Sequence, residues 1–174
     1  SGGTDKLLYS ASIGYFGQDS QYKIGNWQKF TARFSMEYTF NHIVKAGIDF
    51  TPKYENWKDT PDLIGSIMAM DPTTPVMRPE SEWTDNEYDN YSRSHNSQVW
   101  NPVANMARMA KNTDEYGLLA TPFINIEPIK GLIFRSQLGL NARFRLYDEF
   151  TPTFDIDNLE RAETSVAKRE MKNW

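Results

Sequence analysis

The chain has 174 residues, enough for one domain with a sizeable core, and a formal net charge of −4. That charge, with no basic stripe to meet phosphates, gives no reason to expect nucleic acid as a partner. Without a single cysteine it has neither a disulfide framework nor a thiolate metal site. No apolar run is long enough for a spanning helix, yet aromatic residues make up 14%.

In chain order, five segments alternate with period two. Over residues 6–17, Leu7, Tyr9, Ala11, Ile13 and Tyr15 oppose Ser10, Ser12 and Gly14, with Leu8 and Phe16 as exceptions. Over 29–40, Phe30, Ala32, Phe34, Met36, Tyr38 and Phe40 alternate without a fault with Thr31, Arg33, Ser35, Glu37 and Thr39. Over 43–55, Val44, Ala46, Ile48 and Phe50 oppose Lys45, Gly47, Asp49, Thr51 and Lys53. The segment 116–127 is weaker, because Leu119 and Phe123 break the pattern and Pro122 cannot donate a ladder hydrogen bond. Over 132–150, Phe134, Leu138, Leu140, Ala142, Phe144 and Leu146 oppose Arg135, Gln137, Asn141, Arg143 and Arg145. Such alternation marks strands with one apolar and one wet face.

The connections alternate too. Asn41-His42 and Pro128-Ile129-Lys130-Gly131 read as tight turns, whereas 18–28, 56–115 and 151–174 are long and polar. An antiparallel meander with turns at one end and long loops at the other is how outer-membrane barrels are built, turns periplasmic and loops outside. The expected fold is therefore all-β, an antiparallel transmembrane β-barrel of which these residues are a fragment. An odd strand count leaves unpaired edges that lipid does not tolerate, so further strands are expected after Trp174 and chain before Ser1. Arg33, Glu37, Lys45, Asp49, Arg135, Arg143 and Arg145 fall on the polar side, which in a barrel faces the lumen. The alternation alone also admits a soluble antiparallel sandwich, a β-rich binding domain whose apolar face is buried.

The long loop has local signals. Asp62 reads as the cap of a short helix carrying Leu63, Ile64, Ile67 and Met68, which Pro72 stops. Asn101-Pro102 is an N-cap and first-turn pair, with Val103, Met106, Ala107 and Ala110 on one face. Trp83, Tyr88, Tyr91 and Trp100 are candidates to stack on a substrate or meet a lid, or else to pack the loop. The acidic stretch 80–89 lacks EF-hand spacing and its glycine, so no metal is expected. Asn90-Tyr91-Ser92 matches a glycosylation sequon. The charged tail reads as a loop leading into a strand near 165–174, with helix as the alternative.

An enzyme needs a constellation, and none is legible. His42 and His95 are far apart, and no nucleophile elbow or phosphate-cradling loop occurs. Carboxylates such as Glu37 and Asp49 are explained by solvating a wet wall. Neither a catalytic role nor a cofactor is expected.

Residues 2–19, from Gly2-Gly3-Thr4-Asp5-Lys6 to Gly17-Gln18-Asp19, resemble the start of the barrel in SusC/RagA-type TonB-linked outer-membrane proteins of Bacteroidetes. Similar too are Arg33 to Tyr38, Met70-Asp71-Pro72-Thr73-Thr74-Pro75-Val76 and Asn101-Pro102-Val103-Ala104. Glu127-Pro128-Ile129-Lys130-Gly131-Leu132-Ile133-Phe134-Arg135-Ser136 and Phe150-Thr151-Pro152 complete the series. Ser20 stands where the family usually has Gly, and His42-Ile43-Val44-Lys45-Ala46-Gly47 replaces a common Asp-Trp-Leu-Lys-Val-Gly. The resemblance implies a barrel of about 22 strands with a plug, the size at which a plugged lumen is known. It implies TonB-energised import of large nutrients, oligosaccharides or peptides, across the bacterial outer membrane, with a SusD-like surface lipoprotein. The implied partners are the rest of the barrel and its plug, the TonB complex, that lipoprotein and outer-membrane lipid. A passive porin or structural barrel is the alternative.

Overall fold

The computed structural model describes residues 1–22, 24–95, 99–156 and 160–174. Its frame is one antiparallel sheet. A short β1 (Gly2–Gly3) lies on β2 (Leu7–Asp19), followed by β3 (Asn26–Thr39), β4 (Val44–Lys58) and β5 (Ala110–Ile129). Beyond β5 stand β6 (Leu132–Gln137) and β7 (Leu140–Thr151), and then β10 (Ser165–Asn173) at the far edge. Between β7 and β10 the small hairpin of β8 (Phe154–Ile156) and β9 (Glu160–Ala162) forms its own sheet. The large sheet is open among the described residues. No helix among them is long and apolar enough to cross a membrane.

Both tight turns are set by local chemistry. Asn41 Oδ1 accepts from the amides of Ile43 and Val44, both at 2.8 Å, which turns β3 into β4. Between β5 and β6, Gly131 adopts φ = +90°, a conformation that L side chains rarely adopt, and its amide donates to Glu127 Oε1 at 2.8 Å. The expected turn 128–131 thus shortens to Lys130-Gly131, because the strand runs on through Ile129. Gly47 is small for a different reason: a Cβ there would lie 2.5 Å from the Phe123 ring and 2.6 Å from the Met36 carbonyl oxygen.

Element boundaries differ from expectation: β2 runs to Asp19 and β3 starts at Asn26, so the first connection is 20–25 rather than 18–28. The long connection is 59–109 rather than 56–115, since β4 ends at Lys58 and β5 begins at Ala110. The single strand expected over 132–150 is interrupted at Leu138-Gly139, yet Phe123↔Gln137 and Ala120↔Leu140 share one register. Pro122 stands opposite the gap and offers no N–H, so the ladder lapses there; only its carbonyl is used, by the Leu138 amide at 3.0 Å.

In the loop, α1 (Ile64–Ala69) has Leu63 as N-cap instead of Asp62, whose Oδ1 still accepts from the Ile64 amide at 3.4 Å. Helix α2 (Pro102–Arg108) is capped by Asn101 as its sequence implies, Oδ1 accepting from Val103 and Ala104. Its buried residues are Ala104 and Arg108, not the expected face of Val103, Met106, Ala107 and Ala110. Ala110 already belongs to β5, and the helix is held by its cap and its terminal arginine rather than by an apolar stripe. The tail is strand: β10 pairs along β7 from Ser165↔Thr151 to Asn173↔Arg143.

Gly131→Ala places a Cβ in the left-handed region and is expected to lower the unfolding free energy of the whole folded protein by about 1 kcal/mol. Gly131→Asn should cost less, because asparagine tolerates such φ values better. Urea unfolding followed by gel-shift of the heat-modifiable form measures both.

Candidate functional site: a wall with two unlike faces

Residues directly opposed across antiparallel strands share a face. On one face Tyr15↔Phe30, Phe30↔Tyr54, Tyr54↔Tyr116 and Tyr116↔Phe144 form an unbroken row of aromatics, which Lys172 continues on β10. Ring centroids are 4.7, 6.3 and 5.0 Å apart along the first three steps, and Lys172 Nζ lies 5.4 Å from the Phe144 ring centre. From this row toward the tight turns, the same face carries Ile13, Phe34, Met36, Ile48, Leu118, Ile124, Phe134 and Leu140 and no charged residue on any of these strands. Toward the long connections it turns polar, first to Gln28, Asn56, Asp114 and Glu170, with Leu146 the apolar exception, and then to Asn112, Asp148 and Lys168. The step is sealed by hydrogen bonds: Asp114 Oδ1 accepts from Tyr54 Oη at 2.6 Å and from Asn56 Nδ2 at 2.8 Å, and Asp114 Oδ2 from Asn112 Nδ2 at 3.1 Å.

This apolar face has no cover. Ile13 is 86% exposed, and Phe34, Met36, Phe134 and Leu140 are all exposed. The second layer that a sandwich requires is absent among the described residues, since β8 and β9 belong to the loop end. An uncovered apolar face of this extent marks a surface meant for another phase or partner.

The pairing places all the sequence-derived polar candidates on the other face. Arg33 pairs with Ser12, and Asp49 with Ser35 and Thr121. Glu37 stands opposite Gly47, Lys45 opposite Asn125, and Asn125 in turn opposite Arg135. Arg143 pairs with Gly117, itself opposite Lys53. Arg33, Lys45, Asp49, Arg135 and Arg143 are exposed, and Arg135 lies over the Phe123 ring at 4.7 Å.

Arg145 alone of these candidates enters a charge ladder, together with Lys53, which the alternation already places on the polar side, and with Glu115, which lies outside the stretch read as strand. Lys29 pairs with Glu55 at 3.4 Å, and Lys53 Nζ reaches both Glu55 (2.8 Å) and Glu115 (2.9 Å). Arg145 Nε donates to Glu115 Oε2 at 3.0 Å, with its guanidinium 5.3 Å from the Trp57 ring centre. Glu55 and Glu115 are directly opposed like charges, an unfavourable pairing, and Lys53 between them makes it tenable. Glu115 is only 4% exposed, so it depends on these two cations. Glu115 closes the stretch 56–115 that reads as loop, and the structure places it within β5. The usable signal was its odd-numbered phase with Arg143 and Arg145 across the strand.

At the long-connection end, Asn101 is 2% exposed, and its Nδ2 donates to the carbonyls of Val76 and Ser92, each at 3.0 Å. Arg108 donates to the Tyr88 carbonyl (Nη2, 2.6 Å) and lies over the rings of Phe154 (3.8 Å) and Tyr91 (5.6 Å). Trp100 meets Phe154 edge-on at 5.9 Å. Asn86 donates to the Thr153 carbonyl, and the Asp155 amide to Asp89 Oδ1. The loop 59–109 and the β8–β9 hairpin are therefore one built unit. Of the aromatic candidates, Tyr88 and Tyr91 are half-buried within it, while Trp83 and Trp100 remain exposed. Trp83 Nε1 donates to the Arg78 carbonyl at 2.9 Å. The sequon Asn90 is buried, its amide exchanging hydrogen bonds with the Thr84 backbone.

Asp71 anchors the other side of the loop. The Ser94 hydroxyl, then those of Thr74 and Thr73, donate to its carboxylate and hold its pKa at about 2.

The sheet thus has an uncovered apolar face and a charged face, with tight turns at one end and built loops at the other. No family model matches the chain. It is similar to TonB-dependent receptor P26 of Formosa agariphila, 24% identical over 176 aligned positions that cover 99% of the chain and 17% of that protein. The chain thus spans about a sixth of the length of the relative it matches.

Two outcomes follow. Lys53→Met leaves Glu55 and Glu115 opposed without the cation between them, and is expected to cost about 1–3 kcal/mol in urea unfolding, with Glu55→Gln in the same chain recovering part. The depressed pKa of Asp71 means its anchoring is complete above the ordinary carboxylate value of 3.8 and is lost as pH falls through about 2. Limited proteolysis of loop 59–109 should therefore be unchanged between pH 7 and 4 and accelerate near pH 2, while Asp71→Asn should be cleaved faster already at pH 7.

Proposed function

We propose that this sheet is one wall of a large outer-membrane β-barrel and that the whole protein imports large nutrients. The observation that carries the reading is the charge-free apolar band below the aromatic row. From Phe30 to Phe40, from Tyr54 to Val44 and from Tyr116 to Ile126 the band is ten residues deep. At about 3.3 Å per residue and a tilt near 40°, that is about 25 Å, the height of the lipid-facing belt of such barrels. The row Tyr15–Phe30–Tyr54–Tyr116–Phe144 is the outer interfacial girdle, and the polar face is the lumen wall. Arg33, Glu37, Lys45, Asp49, Arg135, Arg143 and Arg145 then face a wide, hydrated or plugged interior.

The similarity to a TonB-dependent receptor supports energy coupling through TonB and a plug. The finer assignment is our own: a SusC/RagA-type importer of oligosaccharides or peptides, with a barrel of about 22 strands and a SusD-like lipoprotein over the loops. It rests on the sequence resemblance, and Trp83 and Trp100 are the loop aromatics available to substrate or lid. The protein is a transporter wall rather than a catalyst.

Single cysteines test the orientation, since the described chain has none. An impermeant thiol reagent on intact cells should label Asp85→Cys and spare Lys130→Cys; the reverse pattern would sink the reading. Phe34→Arg, at mid-band, should impair assembly by about 2–4 kcal/mol, whereas Ser35→Arg on the opposite face should be tolerated.

A further inference from the structure

The polar face also carries an aromatic feature at the end of the charge ladder. Trp27 and Trp57 are directly opposed on β3 and β4, two residues beyond the ladder pair Lys29–Glu55 toward the long connections. They line a cavity of about 560 Å³ together with Gln18, Asp19, Glu55, Lys58 and Asp59. Trp27 is 36% exposed and packs its ring on Phe16 at 5.0 Å, which fixes the indole as a plate. Trp57 has Arg145 over it, so its orientation is fixed as well.

Resting on the barrel reading, we propose that this cavity is a binding subsite for a neutral saccharide, at the outer mouth of the lumen. The C–H face of a pyranose is apolar and flat, and the fixed indoles offer apolar plates to it. The lining mixes acceptors with one cation: Gln18, Asp19, Glu55 and Asp59 stand with Lys58. A ligand rich in hydroxyl donors matches that set.

A charged ligand matches it less well. Lys29, Lys53 and Arg145 already neutralise Glu55 and Glu115. With Arg145 over Trp57, a cationic peptide meets like charge beside the indole, and a polyanion meets Asp19 and Asp59. Placement at the long-connection end puts the subsite where an entering chain is met first.

The test uses the full-length protein in detergent, after impermeant labelling at Asp85→Cys but not Lys130→Cys has established the barrel and its orientation. The probes are neutral hexasaccharides of α- and β-glucan, mannan and xylan, an oligogalacturonate and pentalysine, read by binding calorimetry. At least one neutral hexasaccharide is expected to bind. Trp57→Ala and Trp27→Ala should each weaken it about tenfold, Trp57→Phe should lose less, and His42→Ala, in the turn at the opposite end of the sheet, should leave it unchanged. Gel-shift on heating confirms that each variant is folded. Binding of pentalysine or oligogalacturonate alone, of none of the probes, or of a neutral saccharide insensitive to both tryptophans would overturn the subsite. Reversed labelling would overturn the barrel reading itself.

Discussion

Everything in this structure depends on register. The side-chain period of a strand is two, so a slip of one residue anywhere between β2 and β7 would exchange the faces and put Arg33 or Asp49 among the phenylalanines. Two devices pin it. Asn41 closes one turn with a pair of side-chain hydrogen bonds, and Gly131 closes the other by adopting a conformation that residues with a Cβ avoid. Between them the register persists through Pro122, where the ladder loses a donor and resumes unchanged.

Once the register is fixed, each face resolves its own problem. The apolar face ends at a row of rings, and the first polar residues beyond it hydrogen-bond to one another instead of to the sheet's backbone. The polar face must crowd charges on adjacent strands, and it does so by alternation of sign: Lys29, Glu55, Lys53, Glu115, Arg145. The exceptions to strict alternation fit the same scheme. Phe16 supports Trp27, and Phe123 fills the space above Gly47 while bearing Arg135.

Much of this was legible because alternation is a local signal. The strands around Phe34, Ile48 and Leu140, the two turns, the Asn101 cap and the shared face of Arg33, Asp49 and Arg143 could be read directly. What escaped depends on contacts across the chain. Glu115 lay beyond the alternating stretch and belongs to the ladder only through Lys53 and Arg145. The buried face of α2 is decided by Arg108 meeting Phe154 and Tyr91, which no periodicity encodes. Trp27 and Trp57 were missed because an aromatic on the wet side reads as noise until the opposing strand is in place.

The interlocked loop has a kinetic meaning. Phe154, which receives Arg108 and Trp100, follows β7 in the chain, so the loop between β4 and β5 cannot complete its packing when it is synthesised. It must wait until β5, β6 and β7 have paired and carried Phe154 and Thr153 back to it. Contacts that close over such long separations form late. The long-connection end of the sheet is therefore the last to settle, and the described residues of the loop pack only as the sheet beneath them is completed.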